Sequence, residues 1–374
     1  MSERQVGAIN ILDTGIIYRN QKPHLQAIHA MHPTLALVDK EEILAAFDLG
    51  QGDQSMDYAS YISRSSDGGL TWTDPERIFH DNQERPSTDI IRINRMKDGR
   101  IIGFGARLFR DDPNEGLVNI DTWGYVPSEL ILIESTDDGR TWSLPRTLDV
   151  PIKGSTFEIC HAIVELTDGR WLAPLSIWRN WDGSMPTPEK AMSFISYDQG
   201  KSWPEFMDVM KDDTGTFTYV ENSLIQLRDD RLLALAWKFD PDTGNIGSTP
   251  YAISNDGTCF GPTKETGFSG QTSKIIQLHD ERIFCLYRRH DKPGLWANVS
   301  RLDEDKWENL YEAPIWDGAE SGMSGKLTAG VEISKLRFGF PNMILLEDGT
   351  VFAAFWCWEE WMSNIRWFRI EICD

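Results

Sequence analysis

Ser65-Ser66-Asp67-Gly68-Gly69-Leu70-Thr71-Trp72 decides how the rest of the chain is read. The same pattern returns as Ser135-Thr136-Asp137-Asp138-Gly139-Arg140-Thr141-Trp142 and as Ser196-Tyr197-Asp198-Gln199-Gly200-Lys201-Ser202-Trp203. All three read S-x-D-x-G-x-[T/S]-W. A weaker fourth copy runs from Ser254 through Asp256 and Gly257 to Phe260, and the stretch from Asp303 to Trp307 keeps the acid and the tryptophan of a fifth. The residue types are those of a hairpin turn: Asp accepts hydrogen bonds from the turn's own backbone, Gly permits positive φ, and Trp packs beneath. These residues are read as holding turns rather than doing chemistry.

A second repeat runs alongside the first: an apolar strand, an acidic turn, then another apolar strand. Its six copies are His32–Val38 before Ile43–Phe47, Asp89–Ile93 before Asp98–Ile102, His161–Leu166 before Asp168–Leu172, Glu221–Leu227 before Asp229–Leu233, Ser273–Leu278 before Asp280–Phe284, and Phe340–Leu346 before Asp348–Phe352. Successive copies lie roughly 50 to 70 residues apart, room for four short strands each, the size of a propeller blade with loop insertions. Gly and Pro punctuation and the absence of an amphipathic helical period predict an all-β chain. The expected architecture is one six-bladed β-propeller of four-stranded blades over residues 1–374.

Composition narrows the partners. The chain has 374 residues, with 37 Lys plus Arg against 58 Asp plus Glu, a formal charge of −21. That field repels phosphate backbones and anionic headgroups, so neither nucleic acid nor a membrane surface is expected as partner. The beginning, Met1-Ser2-Glu3-Arg4-Gln5, lacks the pattern of an export signal, and no run is long enough to span a membrane. Five scattered cysteines without a CxxC pair argue against a disulfide framework and a zinc site, so buried reduced thiols in a cytoplasmic protein are expected. No calcium-type loop is present, and neither a metal nor a cofactor is expected.

The repeated motif is the Asp-box, and six blades carrying it resemble the sialidase (neuraminidase) superfamily over residues 25 to 370. The resemblance places a site at one end of the central channel. The segment Ala46-Phe47-Asp48 through Gly52-Asp53-Gln54-Ser55 to Arg64 and the first Asp-box is similar to the family's acid/base loop, which makes Asp53 the acid/base candidate and Asp57 the alternative in a shifted register. Glu221, opening the fourth inner strand, corresponds to the family glutamate. Asp89, opening blade two, corresponds to an aspartate that contacts the sugar. Carboxylates converging on one channel mouth would raise at least one pKa, as a general acid needs.

The departures from the family are equally informative. Met31-His32-Pro33 stands where the first carboxylate-binding arginine is expected, Trp237-Lys238 at the register of the second, and Gly339-Phe340-Pro341 at that of the tyrosine nucleophile. Phenylalanine cannot be a nucleophile. Arg288, Arg289 and Arg337 remain as anion contacts, but a clamp of three arginines is not recognisable, so hydrolysis of ordinary N-acetylneuraminic acid is not expected and an anionic sugar has less to recommend it. The leading reading is a glycosidase for a different sugar, with Asp53 protonating the leaving oxygen and Glu221 as nucleophile or base. A carboxyl separation near 5 Å would mean retention, and about 6.5 to 9.5 Å inversion. Two alternatives stay open: a lyase abstracting a proton from a uronate through His29, His32 or His161, and a non-catalytic carbohydrate-binding propeller. His32, His161, Trp237, Arg288 and Arg337 are the substrate-contact candidates beside Asp89, and Trp178, Trp181, Trp356, Trp358 and Trp361 could add an aromatic platform.

Overall fold

A computed structural model of the chain describes residues 9–80, 84–241, 243, 246–319 and 335–373. Among them there is no helix, and the strands group into six sheets. An outer strand, β1 (Ile9–Arg19), comes first. Blade one follows with β2 (His29–Leu37), β3 (Ile43–Gly50), β4 (Ala59–Ser65) and β5 (Glu76–Arg77), and blade two with β6 (Ser87–Arg95), β7 (Ile101–Phe109), β8 (Ser128–Ser135) and β9 (Arg146–Thr147). Blade three comprises β10 (Thr156–Glu158), β11 (Val164–Glu165), β12 (Trp171–Trp178), β13 (Lys190–Ser196) and β14 (Glu205–Met210). Blade four holds β15 (Thr218–Gln226), β16 (Leu232–Phe239), β17 (Pro250–Ser254) and β18 (Lys264–Glu265), and blade five β19 (Gly270–Gln277), β20 (Ile283–Arg289), β21 (Leu295–Asp303) and β22 (Lys306–Trp316). Blade six is β23 (Phe338–Leu345), β24 (Val351–Glu359) and β25 (Met362–Ile372), completed by β1, which pairs antiparallel with β25. The six-bladed propeller expected from the sequence is the fold, and the early strand closes the ring on the last one.

Each blade buries both faces against its neighbours, so its second strand reads as a nearly unbroken apolar run. Every residue of Ile43-Leu-Ala-Ala-Phe-Asp-Leu-Gly50 is buried, and Asp48 alone interrupts the apolar character. The six strand–turn–strand copies correspond to the first two strands of each blade, with one correction. In blade three the inner strand is broken into β10 and β11, and Ile159–Ile163 leaves the ladder. Within that gap the carbonyl of Cys160 is held instead by Lys274 Nζ of blade five at 2.6 Å.

The Asp-boxes form the turns between the third and fourth strands. Ser65 Oγ donates to Asp67 Oδ1 at 2.8 Å and accepts from Gly69 N at 2.8 Å, while Thr71 donates through N and Oγ1 to the same carboxylate at 2.9 and 2.6 Å. The copies at Asp137 and Asp198 repeat this set, and the donors hold all three carboxyls down at about 2. The turns also staple blades together: Arg64, Arg146 and Arg170 donate to the carbonyls of Asp138, Gly200 and Gly257 in the next blade. The Asp303–Trp307 stretch takes the same place in blade five, as a tight hairpin between β21 and β22 with Glu304 at φ 52. Of the cysteines, Cys160, Cys285 and Cys357 are buried thiols, whereas Cys259 is exposed and Cys373 half-buried.

Gly68 and Gly69 both adopt positive φ, at 70° and 100°. A Cβ on Gly68 would meet nothing within 4 Å, but one on Gly69 would lie 2.4 Å from the Phe352 ring of blade six. Gly68→Ala should therefore lose about 1 kcal/mol in urea unfolding, for backbone strain alone, and Gly69→Ala about 2 to 4 kcal/mol, with the clash added. Equal losses would contradict this packing.

Candidate active site

Four inner strands share an irregularity. The ladder shifts by one residue between Met31 and Thr34 in β2, Val220 and Ser223 in β15, Gln271 and Lys274 in β19, and Gly339 and Asn342 in β23. The first extra residue in each bulge, respectively His32, Glu221, Thr272 and Phe340, is a non-glycine with φ between 49° and 55°. A bulge re-aims its side chain out of the pleat, at a cost of order 1–2 kcal/mol when the residue is not glycine. All four line one cavity of about 580 Å³ at the propeller axis. Strained backbone concentrated in this way makes the cavity the candidate functional site.

The loop between β3 and β4 supplies Asp53. The loop is pinned by Gln54, whose Oε1 accepts from the backbone N of Leu117 at 2.6 Å and of Val118 at 3.2 Å, and whose carbonyl accepts from Arg110. Asp53 itself is half-buried, and no donor among the described residues meets its carboxyl. Burial pushes that carboxyl upward, with nearby His32 and His29 opposing and Asp48 reinforcing the shift. Glu221 is pushed up to about 7, chiefly by burial and also by Glu158, against the pull of Arg288. Its backbone N donates to Glu158 at 2.9 Å, and its carboxylate accepts from Thr272 N at 2.5 Å.

Beneath His32 lies a buried polar chain that sequence reasoning missed. Tyr58 Oη lies 2.7 Å from His32 Nδ1 and donates to Asp48 Oδ2 at 3.0 Å. Asp48 also accepts from Ser60 Oγ at 2.8 Å and Arg92 Nη1 at 3.1 Å. Despite its burial, Asp48 is held below the ordinary carboxylate range by Arg92, His32 and Ser60. Only two sequence signals pointed here, a carboxylate inside the apolar run of β3 and a guanidinium inside that of β6. Phe340 sits at the expected nucleophile register, with the Arg92 guanidinium 4.8 Å and Lys274 Nζ 5.1 Å from its ring centroid. Tyr58 is no replacement nucleophile, because its hydroxyl is committed to Asp48 and burial drives its pKa far up.

Of the residues singled out from sequence, His29, His32, Asp53, Glu221, Trp237, Arg288 and Arg337 line the cavity. Asp89 and His161 do not. The Asp89 carboxylate accepts from Ser60 N at 3.0 Å and Arg77 Nη2 at 2.8 Å, so it ties β6 to blade one. His161 bonds the carbonyl of Ala162 and is pushed down to about 3 by burial and Lys274, which leaves it a neutral packing residue. Asp57 is exposed, and its carboxylate accepts from Gln51 N. Trp178, Trp356 and Trp358 reach the cavity and Trp181 and Trp361 do not, while Trp123 and Tyr125 of the loop between β7 and β8 enter it unforeseen. Trp237 stacks on Phe239 at 4.3 Å, and Trp123 on Phe239 at 6.0 Å, as one aromatic wall.

Residues 117–353 match the BNR repeat-like domain model. The chain belongs to that family. Comparison with curated proteins finds no match. Among solved structures, a Dyadobacter fermentans protein of unknown function superposes with a TM-score of 0.74 at 20% identity, covering 97% of this chain and 99% of that one. A Hadza microbial sialidase gives 0.68 at 14% identity over 96% and 68% of the two chains. The NanB sialidase of Streptococcus pneumoniae gives 0.66 at 13% over 96% and 70%. The fold is therefore sialidase-like.

The raised Glu221 carboxyl has a thermodynamic consequence. Below about pH 4.5 both folded and unfolded states hold the proton and there is no difference between them. As pH rises toward 7 the unfolded state ionises first, so this group progressively destabilises the fold. Glu221→Gln should gain on the parent across that window, by on the order of 3 kcal/mol above pH 7. Denaturant unfolding at several pH values reads this directly, and a gap that does not widen with pH would contradict the assignment.

Proposed function

We propose that this protein is a glycoside hydrolase of the sialidase superfamily whose substrate is a glycan or glycoside other than an N-acetylneuraminic acid conjugate. In this reading Asp53 gives its proton to the leaving glycosidic oxygen, and Glu221 acts as nucleophile or as base toward water. The observation that carries it is the pair of carboxyls, both pushed upward, facing one cavity with aromatic walls, with that of Asp53 left without a donor among the described residues. Aromatic faces suit the apolar faces of sugar rings, and a cavity of about 580 Å³ falls in the range of small-ligand sites. The fold neighbours named as sialidases support a hydrolase, while Phe340 at the nucleophile register removes the usual tyrosine route. Proton abstraction by His161 draws no support, since that ring lies outside the cavity lining.

A panel of aryl glycosides and oligosaccharides, read by product mass, tests the class of reaction: a gain of one water is expected, and an unsaturated product without that gain would mean a lyase. Asp53→Asn and Glu221→Gln should each cost several orders of magnitude in kcat with folding retained. For the parent, kcat/KM should rise with pH along a limb near 7 as Glu221 ionises. Unaltered turnover in both variants would remove these two residues from the mechanism.

A further inference from the structure

The charged groups of the cavity are not equally available. Arg92 is 2% exposed and its Nη1 is shared among Asp48, the His32 carbonyl and the Ile91 carbonyl. Arg288 is 3% exposed, with Nε and Nη2 on Gln271 Oε1 at 3.0 and 2.7 Å and Nη1 on the Phe338 carbonyl at 2.9 Å. Arg337 is exposed, stacked over Trp358 with a donor on the Leu336 carbonyl. The Arg288 guanidinium is thus spent on the protein itself, and that of Arg92 is ion-paired to Asp48 with its Nε buried and without a partner among the described residues, so a buried ionic ligand would need partners of its own. The acceptors are in the opposite state, for the Asp53 carboxyl meets no donor among the described residues.

His32 adds a second such acceptor. Asp48 is an ionised carboxylate and the strongest acceptor in its chain, so it takes the Tyr58 hydroxyl proton. The Tyr58 oxygen must then accept from His32, which places the imidazole proton on Nδ1, 3.3 Å from Asp48 Oδ2 as well. In the neutral imidazole Nε2 then carries the lone pair, without a partner among the described residues, on a ring that lines the cavity. Phe340 against the ring at 5.1 Å and Trp356 at 6.4 Å hold its plane.

We propose that the cavity takes a neutral, hydroxyl-bearing sugar ring and that His32 Nε2 accepts a hydrogen bond from one of its hydroxyls. The substrate class deepens the glycosidase reading and rests on it for the nature of the ligand, while the tautomer of His32 stands on the hydrogen-bond chain to Tyr58 and Asp48. A polyol presents many donors and no net charge, which matches unpartnered acceptors and engaged cations. A uronate or sialoside would bring a carboxylate toward Asp53 and Glu221, with Arg288 committed to Gln271 and Phe338, Arg92 ion-paired to Asp48, and Arg337 stacked over Trp358.

The test uses the full parent chain with S-linked (1-thio) versions of the probes, so that Asp53 is kept and ligands bind without turnover. The probes are 4-nitrophenyl hexosides and 6-deoxyhexosides of both anomers, with the matching 4-nitrophenyl uronides and sialoside, measured by saturation-transfer NMR and calorimetry. A neutral glycoside should bind tightest, and adding His32→Asn, whose amide keeps a donor near the Nδ1 position but supplies nothing at Nε2, should weaken it about tenfold. Long-range ¹⁵N spectra of the parent should show His32 Nδ1 protonated and Nε2 bare, and Tyr58→Phe should disturb that pattern. Tightest binding by a uronide or the sialoside, no binding by any neutral member, undiminished binding in His32→Asn, or a protonated Nε2 would each overturn the proposal. His32-dependent binding of a neutral sugar with no turnover of any O-linked probe by the parent would sink the hydrolase reading and leave this inference standing.

Discussion

An inner propeller strand must pair with its blade's second strand and also present side chains to the axis, and a regular pleat allows only alternate residues to do the latter. In β2, β15, β19 and β23 the conflict is resolved by an extra residue held at positive φ, which turns His32, Glu221, Thr272 and Phe340 inward while the ladder resumes two residues later. Non-glycine residues tolerate this conformation only where the surroundings over-determine it. Here pairing on both sides of each bulge and contact between neighbouring inner strands do so, and the ring itself is kept closed by β1 on β25. The site depends on closure of the propeller, because its bulged residues come from blades one, four, five and six, which the closed ring brings together at the axis.

Around this frame the polar groups divide into two kinds. Asp48, Arg92, Asp89 and Arg288 are buried and engaged by the protein itself, and they hold loops and strands in register. Asp53, Glu221 and His32 are half-buried and open toward the cavity. Burying a carboxyl without a dedicated cation is unfavourable to the fold, and that same environment keeps a proton available near neutral pH. Structural cost and chemical competence are thus two readings of one arrangement.

The fold was legible because its signals are local. An Asp-box closes its hydrogen bonds within eight residues, and the strand–turn–strand copies announce themselves by alternating apolar runs and acidic turns. Asp53 and Glu221 were legible for a different reason, as carboxylates at marked positions of a family pattern. What escaped was long-range. The engagement of Asp89 by Arg77 and Ser60, the Arg92–Asp48–Tyr58–His32 chain across blades one and two, and the neutrality of His161 beside Lys274 depend on partners that sequence spacing does not bring together. Trp123 and Tyr125 come from a long loop whose path no periodicity describes. The broken inner strand of blade three was read as continuous because its composition stays apolar through the gap.

The bulge at Glu221 delivers a carboxyl into an environment that keeps its proton to near neutrality. Isotope-edited infrared difference spectra of the parent against Glu221→Gln, followed across pH, isolate that one carboxyl. Loss of its protonated C=O band with a midpoint near 7 is the expected result. A midpoint near the ordinary glutamate value of about 4.3 would contradict the account.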